Sequence, residues 1–480
     1  MMNISHTFLL VMISCTLTSQ SQIKWNATKD LATSSFGNNH PRIVLNGDES
    51  PVVVWGRDSD ASLHSSYWDG NKFAVPTKLN QNITVATASW MGPDIASHGD
   101  TIYIVMKQTP ENNSNSGIFL TSSFDGGKSF STLIRIDKIA DSLSRFPTVS
   151  TDQYGSAIVA FMKFNSSFKD SRWVVSKSTD FGLTFLQDIK ASNWFGSEEV
   201  CDCCPGVLIS EKENCVLLYR DNNKNIRDSW MSVSYNSGKT FSNACNVDNL
   251  RWNISSCPSS GPDAIIVNDT VYSVFMSGSG GRTLAYLSKT TLSEAKHIKT
   301  SSLLSYFVGL NNQNFPRIAK YGKSAAIVWK QDVSNKLQLP LLYTRNIEEG
   351  FPSTYDTVAL LNIDNADVAL TQNKIFVVWE DFASRTVKYR IGEIQTTTDV
   401  LKTNASSKFV IFPSPANDEI NINGPEKLNY VKITDLQGKI IYQNANQQSN
   451  QLSISKLKSG IYYLQCKSDN QTYLQKFIKQ

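Results

Sequence analysis

The sequence predicts an all-β chain: a β-propeller of seven blades followed by a small Ig-like β-sandwich. Three observations predict it. A pair of strands joined by a polar turn recurs about every fifty residues. Strand formers and turn residues fill the intervals. A polar linker then sets off a tail with its own alternation.

The recurring stretches are "HPRIVLNGDESPVVVWGRD" (40–58), "GPDIASHGDTIYIVMKQ" (92–108), "FPTVSTDQYGSAIVAFMKF" (146–164) and "CPGVLISEKENCVLLYRDN" (204–222). "GPDAIIVNDTVYSVFMSG" (261–278), "FPRIAKYGKSAAIVWKQD" (315–332) and "NADVALTQNKIFVVWED" (365–381) complete the set. From Pro41 to Ala366, which stands in the proline position of the last, the spacings are 52, 54, 58, 57, 54 and 50. Each unit has a short strand, a polar turn and a β-branched strand ending at polar or charged residues. A third strand usually follows, as in "GIFLTSS" (117–123) and "SWMSVS" (229–234). Strand-rich units at this period are propeller blades. The seventh unit shows three strands (366–371, 375–379, 386–394). Residues 23–36 are expected to supply its fourth, which closes the ring and removes an exposed sheet edge.

Phe8 to Leu17 form an apolar run of ten residues, too short to span a bilayer. The reading is a signal peptide over 1–22, cleaved near Gln20 to Gln22, and therefore export. No later run approaches eighteen apolar residues, so no transmembrane segment is expected. A net charge of +4 on 480 residues, without a basic run, argues against nucleic acid as a partner.

Three units carry a second motif after the third strand: "SSFDGGKSF" (122–130), "KSTDFGLTF" (177–185) and "VSYNSGKTF" (233–241). Asp125 or Asp180 can accept from amides of its own turn, and Gly127 or Gly182 permits the dihedral that the turn needs. Phe130, Phe185 and Phe241 are expected to plug between sheets, and Asn236 replaces Asp in the third copy. With these motifs residues 23–395 resemble the sialidase-type Asp-box (BNR repeat) propellers. That resemblance implies a site on the face away from the Asp-boxes. The family has six blades, so six is the alternative to the seven counted here.

Residues 396–408, "TTTDVLKTNASSK", form the linker. The tail, 409–480, contains "FVIFPSPANDEININ" (409–423), "VKITDLQGKIIYQ" (431–443) and "LSISKLKSGIYYLQ" (452–465). It resembles the C-terminal sorting domain of the type IX secretion system, most distinctively at Pro413, Pro415, Asn417 and Gly460. The resemblance implies an address read by that machinery, with the cargo released or held at the outer cell surface.

On the inferred functional face, first strands begin at Arg42, Asp94, Thr148, Gly206, Asp263, Arg317 and Asp367. Second strands end at Arg57-Asp58, Lys107, Lys163, Arg220-Asp221, Lys330 with Asp332, and Glu380-Asp381. This ring of both signs is either a solvated rim or a site for an anionic ligand, since guanidinium holds carboxylate bidentately. The resemblance implies three arginines around a sugar carboxylate. "HPRIV" resembles the family's Arg-Ile-Pro motif, with Val44 in place of the proline. Arg42 and Arg317, with Arg220 or Arg282, are the candidates. Asp58, Asp94 and Asp263 are candidates for proton transfer, and Tyr306 with Glu199 for a nucleophile pair. A glycan-active enzyme, a glycan- or protein-binding adhesion propeller and a metal-binding propeller are the readings this leaves.

"SEEVCDCCPG" (197–206) places three of the eight cysteines within four residues. Cys201, Cys203, Cys204, Cys245 and Cys257 are expected at one rim, as two disulfides and a spare thiol. The alternatives are a soft-metal site of Cys201, Cys203, Cys204 and Cys257, or a reactive thiol beside Arg220 and Asp221. No other cofactor is expected. Cys215 reads as a small buried hydrophobe, and Cys466 belongs to the tail.

Overall fold

The computed structural model describes residues 23–32, 37–137, 142–192, 199–241, 243–293, 300–303, 311–395, 410–423, 428–435, 439–445, 449–467 and 472–480. The expected signal peptide, the linker, Glu198 and Tyr306 lie outside the described residues. The chain divides into two compact units, 1–395 and 396–480.

Among the described residues the first unit has seven antiparallel sheets in chain order. The first sheet comprises Asn38–Leu45, Pro51–Arg57, Ser62–Tyr67 and Thr77–Lys78, each strand paired with the next. Five further four-stranded sheets repeat that order. In the seventh, Ile363–Leu370, Lys374–Asp381 and Thr386–Ile394 are completed from the other end of the unit. Ile23–Trp25 and Lys29–Asp30 both pair with Thr386–Ile394, so the last sheet is tied to the start of the chain.

The second strands explain why the sheets stack. Val52, Val53, Val54 and Trp55 are almost wholly buried, as are Ile102 to Met106, Ala325 to Trp329 and Val377 to Trp379. A strand buried on both faces reads as a continuous apolar run, and each buried Val, Ile or Met side chain in it contributes roughly 1.5–3 kcal/mol. Among the described residues the core is therefore seven clusters, each between two successive sheets. Ile102 and Val54 share one, for example, and Tyr103 and Val159 the next. The seventh joins last to first, packing Ala369, Phe376 and Val378 on Ile43, Val53 and Trp55.

The three S-x-[DN]-x-G-x-[ST]-F turns share one geometry. Ser123, Ser178 and Ser234 Oγ accept from the amides of Gly127, Gly182 and Gly238 at 2.9, 2.8 and 3.0 Å. Those glycines have φ of 88°, 85° and 76°, a region unfavourable for a Cβ. Asp125 Oδ1 accepts from the amides of Lys128 and Ser129. Asn236 keeps the equivalent bond from Thr240 N at 2.9 Å and adds its own donor to Thr240 Oγ1. Phe185 and Phe241 are buried between sheets, and Phe130 is partly so. Gly126 N donates to Asp100 O, so this turn packs against the first-to-second strand turns, at the end of the sheets opposite the proline positions.

The second unit has two sheets around one core. Val410–Phe412, Glu419–Asn423 and Gln451–Ser453 form one; Ile440–Asn444, Tyr430–Thr434, Gly460–Lys467 and Thr472–Lys479 form the other. Ile411, Ile420, Val431, Leu464, Cys466 and Phe477 fill the space between them.

Candidate functional site

First strands of all seven sheets line two adjoining cavities. One, of about 70 Å³, lies at the proline positions and forms a mouth; Trp90, His40, Arg42 and Phe315 are in its wall. The other, of about 270 Å³, shares Asp94, Val207 and Arg317 with it.

The residue before each proline position shapes the mouth. His40, Phe146, Phe315 and Asn365 have φ of 51°, 50°, 51° and 42°, and each sits at a register shift in its strand pair. A left-handed non-glycine residue costs about 1–3 kcal/mol, and bulges of this kind re-aim side chains. All four line the mouth. At the same position Gly92 leaves room for the His40 ring, which a Cβ there would approach to 2.3 Å.

The residue after the proline position stitches neighbouring sheets. Asp94 Oδ2 accepts from Val149 N at 3.0 Å and from Thr148 Oγ1 at 2.7 Å. Thr148 Oγ1 in turn accepts from Leu208 N. Asp263 Oδ2 accepts from Ile318 N, and Asp367 Oδ2 from Ile43 N, at 2.9 and 3.0 Å. Each bond runs to the next sheet in the ring, so Asp94 and Asp263, read from sequence as proton-transfer candidates, are held by structural amides. Burial raises the Asp263 carboxyl, against the pull of Arg317.

The two mouth arginines differ. Arg317 Nε lies 3.1 Å from Asp367 Oδ1 and 3.4 Å from Asp263 Oδ2. Arg42 forms no ion pair among the described residues: it donates from Nη1 to Pro41 O at 2.7 Å and from Nη2 to His40 Nε2 at 2.8 Å. Burial, then repulsion from Arg317, push Arg42 down to about 10. His40 Nδ1 faces Ala88 O at 3.2 Å, so that nitrogen carries the proton and Nε2 accepts from Arg42. Burial and the two arginines hold His40 well below the ordinary histidine range, which removes it as an acid at neutral pH. Glu380 supports this corner: Oε2 accepts from His40 N and Asn365 Nδ2, and burial raises its carboxyl.

Other sequence candidates lie elsewhere. Arg220 does not join Arg42 and Arg317. It is buried, donates to Ser260 O, Arg227 O and Met276 O, and stacks near Trp252, so carbonyl oxygens occupy its guanidinium. Asp58 pairs with Arg385 at 3.1 Å on a half-exposed surface. Glu199 Oε1 accepts from Asp170 N at 2.7 Å. Arg282 is exposed and absent from the mouth wall. Trp90, 40% exposed on the turn bridged by Ala88 and Met91, escaped the sequence reading. Its signal is a large aromatic in a polar loop just before a proline position.

The cysteines are arranged differently from expectation. Cys203 and Cys257 form one disulfide, with Cα atoms 6.1 Å apart. Cys245 stays a free thiol in the core between the fourth and fifth sheets, pushed up to about 12 by burial, so five cysteines do not converge. Cys215 is likewise a buried free thiol. Cys201, Cys203 and Cys204 sulfurs do cluster, but the disulfide takes two of the four proposed metal ligands. As bonded here, the set does not fit a four-thiolate centre.

Among the described residues no helix is long and apolar enough to cross a membrane. Solved structures similar to this chain include a protein of unknown function from Dyadobacter fermentans, 10% identical, covering 78% of this chain and 100% of that one at a TM-score of 0.49. The NanB sialidase of Streptococcus pneumoniae is 13% identical, covering 77% of this chain and 70% of that one at 0.41. An α-L-arabinanase of Penicillium chrysogenum complexed with arabinobiose is 10% identical, covering 77% and 99% at 0.43. No curated protein matches the chain. Residues 410–480 match the family described as "Secretion system C-terminal sorting domain", and the chain thus ends in a sorting domain of that family.

Proposed function

We propose that residues 23–395 are a seven-bladed Asp-box propeller that binds an acidic glycan at its channel mouth, and that 409–480 direct it through the type IX machinery to the cell surface or medium. The sorting-domain match over 410–480 supports the second part. The observation that carries the first is Arg42: a partly buried guanidinium in the mouth wall with no carboxylate partner among the described residues. An anion supplies the missing partner, and a bidentate carboxylate or sulfate matches its geometry. Trp90 and Phe315 add apolar faces of the kind that pack on sugar rings.

Binding is favoured over hydrolysis. Among the described residues two arginines line the mouth, His40 is neutral, and the carboxylates of Asp94 and Asp263 are engaged by backbone amides. No tyrosine stands among the described wall residues. The test is an array of sialylated, uronate-containing and sulfated oligosaccharides, followed by calorimetry on the best binder. Arg42→Ala should weaken that binding at least about tenfold. Unchanged affinity in Arg42→Ala removes the proposal, and turnover of fluorogenic acidic glycosides replaces binding with catalysis.

A further inference from the structure

The cysteine rim has a chemistry of its own. Cys201 and Cys204 are free, buried thiols whose sulfurs stand 3.2 Å apart. Cys201 Sγ also lies 3.6 Å from Cys203 Sγ, one half of the disulfide, while Cys257, the other half, is exposed. A third group completes the arrangement. Arg227 is buried, and its Nη1 donates to Cys201 Sγ at 3.1 Å; Cys203 Sγ is 3.7 Å from the same nitrogen. Its Nε donates to Ile254 O, and it has no carboxylate partner among the described residues. A buried guanidinium whose nearest charge-bearing candidate is sulfur stabilises a thiolate there.

We propose that this rim is a thiol–disulfide exchange site, with Cys201 as the attacking group, the Cys203–Cys257 disulfide as its target and small-molecule disulfides as its external substrates. The Cys201 thiolate attacks Cys203 Sγ. The Cys203–Cys257 bond breaks, a Cys201–Cys203 bond forms, and Cys257 leaves as a thiolate that takes a proton from water. Cys204 then loses its proton and attacks Cys201 Sγ, expelling Cys203 as a thiolate. The net change moves one disulfide from the rim to the buried Cys201–Cys204 pair. Two protons move the opposite way, and no electron is gained or lost.

The exposed Cys257 thiol, once it has returned its proton to water, attacks a small disulfide, RSSR, as the thiolate. That gives a Cys257–SR mixed disulfide and one RS⁻. Attack by the Cys203 thiolate on Cys257 Sγ expels the second RS⁻ and restores the rim bond. The hydrogen bond from Cys204 and the charges of Arg227 and Arg220 hold the Cys201 thiol below its ordinary range, which is consistent with its role as attacker.

The experiment uses the full chain and oxidised glutathione, with acid quench, alkylation and peptide mapping by mass spectrometry. Wild type should show a glutathione adduct on Cys257 and a population bridged between Cys201 and Cys203 or Cys204. In Cys201→Ala the Cys257 adduct should fall at least about tenfold, because Cys257 stays bridged. Cys204→Ala should retain the adduct, since the first exchange does not need it. Because a core variant can fail to fold, the wild-type map is decisive by itself. Only Cys203–Cys257, with no Cys257 capture over hours, overturns the proposal. Stoichiometric zinc or copper in protein purified without chelator, with all four sulfurs protected from alkylation, also overturns it in favour of a thiolate metal centre.

Discussion

The two ends of the sheets use hydrogen bonds in opposite ways. At the turn end, Ser123, Ser178 and Ser234 repeat one bond to a glycine four residues on, and the three turns are nearly interchangeable. At the mouth, the carboxylate–amide bonds join different sheets, and residues at equivalent repeat positions have different partners. Arg42 and Arg317 both follow a proline and precede an isoleucine. Yet Arg317 sits between Asp263 and Asp367, whereas the second oxygen of Asp367 is already taken by the Ile43 amide. Arg42 is left with a carbonyl and an imidazole. A repeat can copy its local turns, but it diversifies where copies meet.

The largest test of that contrast is Arg317→Met. It strands Asp263 and Asp367 without their cation and should cost about 3–5 kcal/mol in denaturant unfolding. Arg42→Met should stay within about 1 kcal/mol of wild type without ligand. Equal losses would mean that Arg42 is paired after all, and the distinction would collapse.

A smaller effect follows from His40. Its folded value lies well below the ordinary 6.5, so below that pH the unfolded chain binds a proton that the folded chain refuses. This contribution to stability is full above pH 6.5 and declines as pH falls, by at most about 1.4 kcal/mol per pH unit. Unfolding at pH 7.5 and 5.5 should show it, and His40→Asn should flatten the slope. An unchanged slope would mean that His40 takes up its proton as readily in the fold as in the unfolded chain.

The smallest effects belong to the turn end. Asp125→Ala removes bonds from Lys128, Ser129 and Ser123, and should cost about 1 kcal/mol. Asn236→Asp keeps the accepting oxygen and should change stability by less than about 0.5 kcal/mol. A large loss in Asn236→Asp would show that the three turns are not equivalent.

The cysteines follow the same division. Their proximity in "CDCCP" was legible, as was the approach of Cys257 before the next proline position. Which sulfurs bond, and that Cys245 points into a core between sheets, was not. Arg227, the group beside Cys201, lies 26 residues away and offered no local signal. Arg220 likewise reads as a rim charge by its place at a strand end. Only packing shows it capped by three carbonyls from other segments.

By itself the sequence determined the period, the sheets and the turns, because strand alternation, proline and glycine positions and contacts within four residues are local. It also determined the tail, whose motif is continuous. Tertiary structure alone decided which arginine is satisfied, which carboxylates are spent on amides and which cysteines remain thiols. Those outcomes turn on a few ångströms between sheets some fifty residues apart, where one carboxylate oxygen can serve an amide or a guanidinium and the neighbour takes what is left.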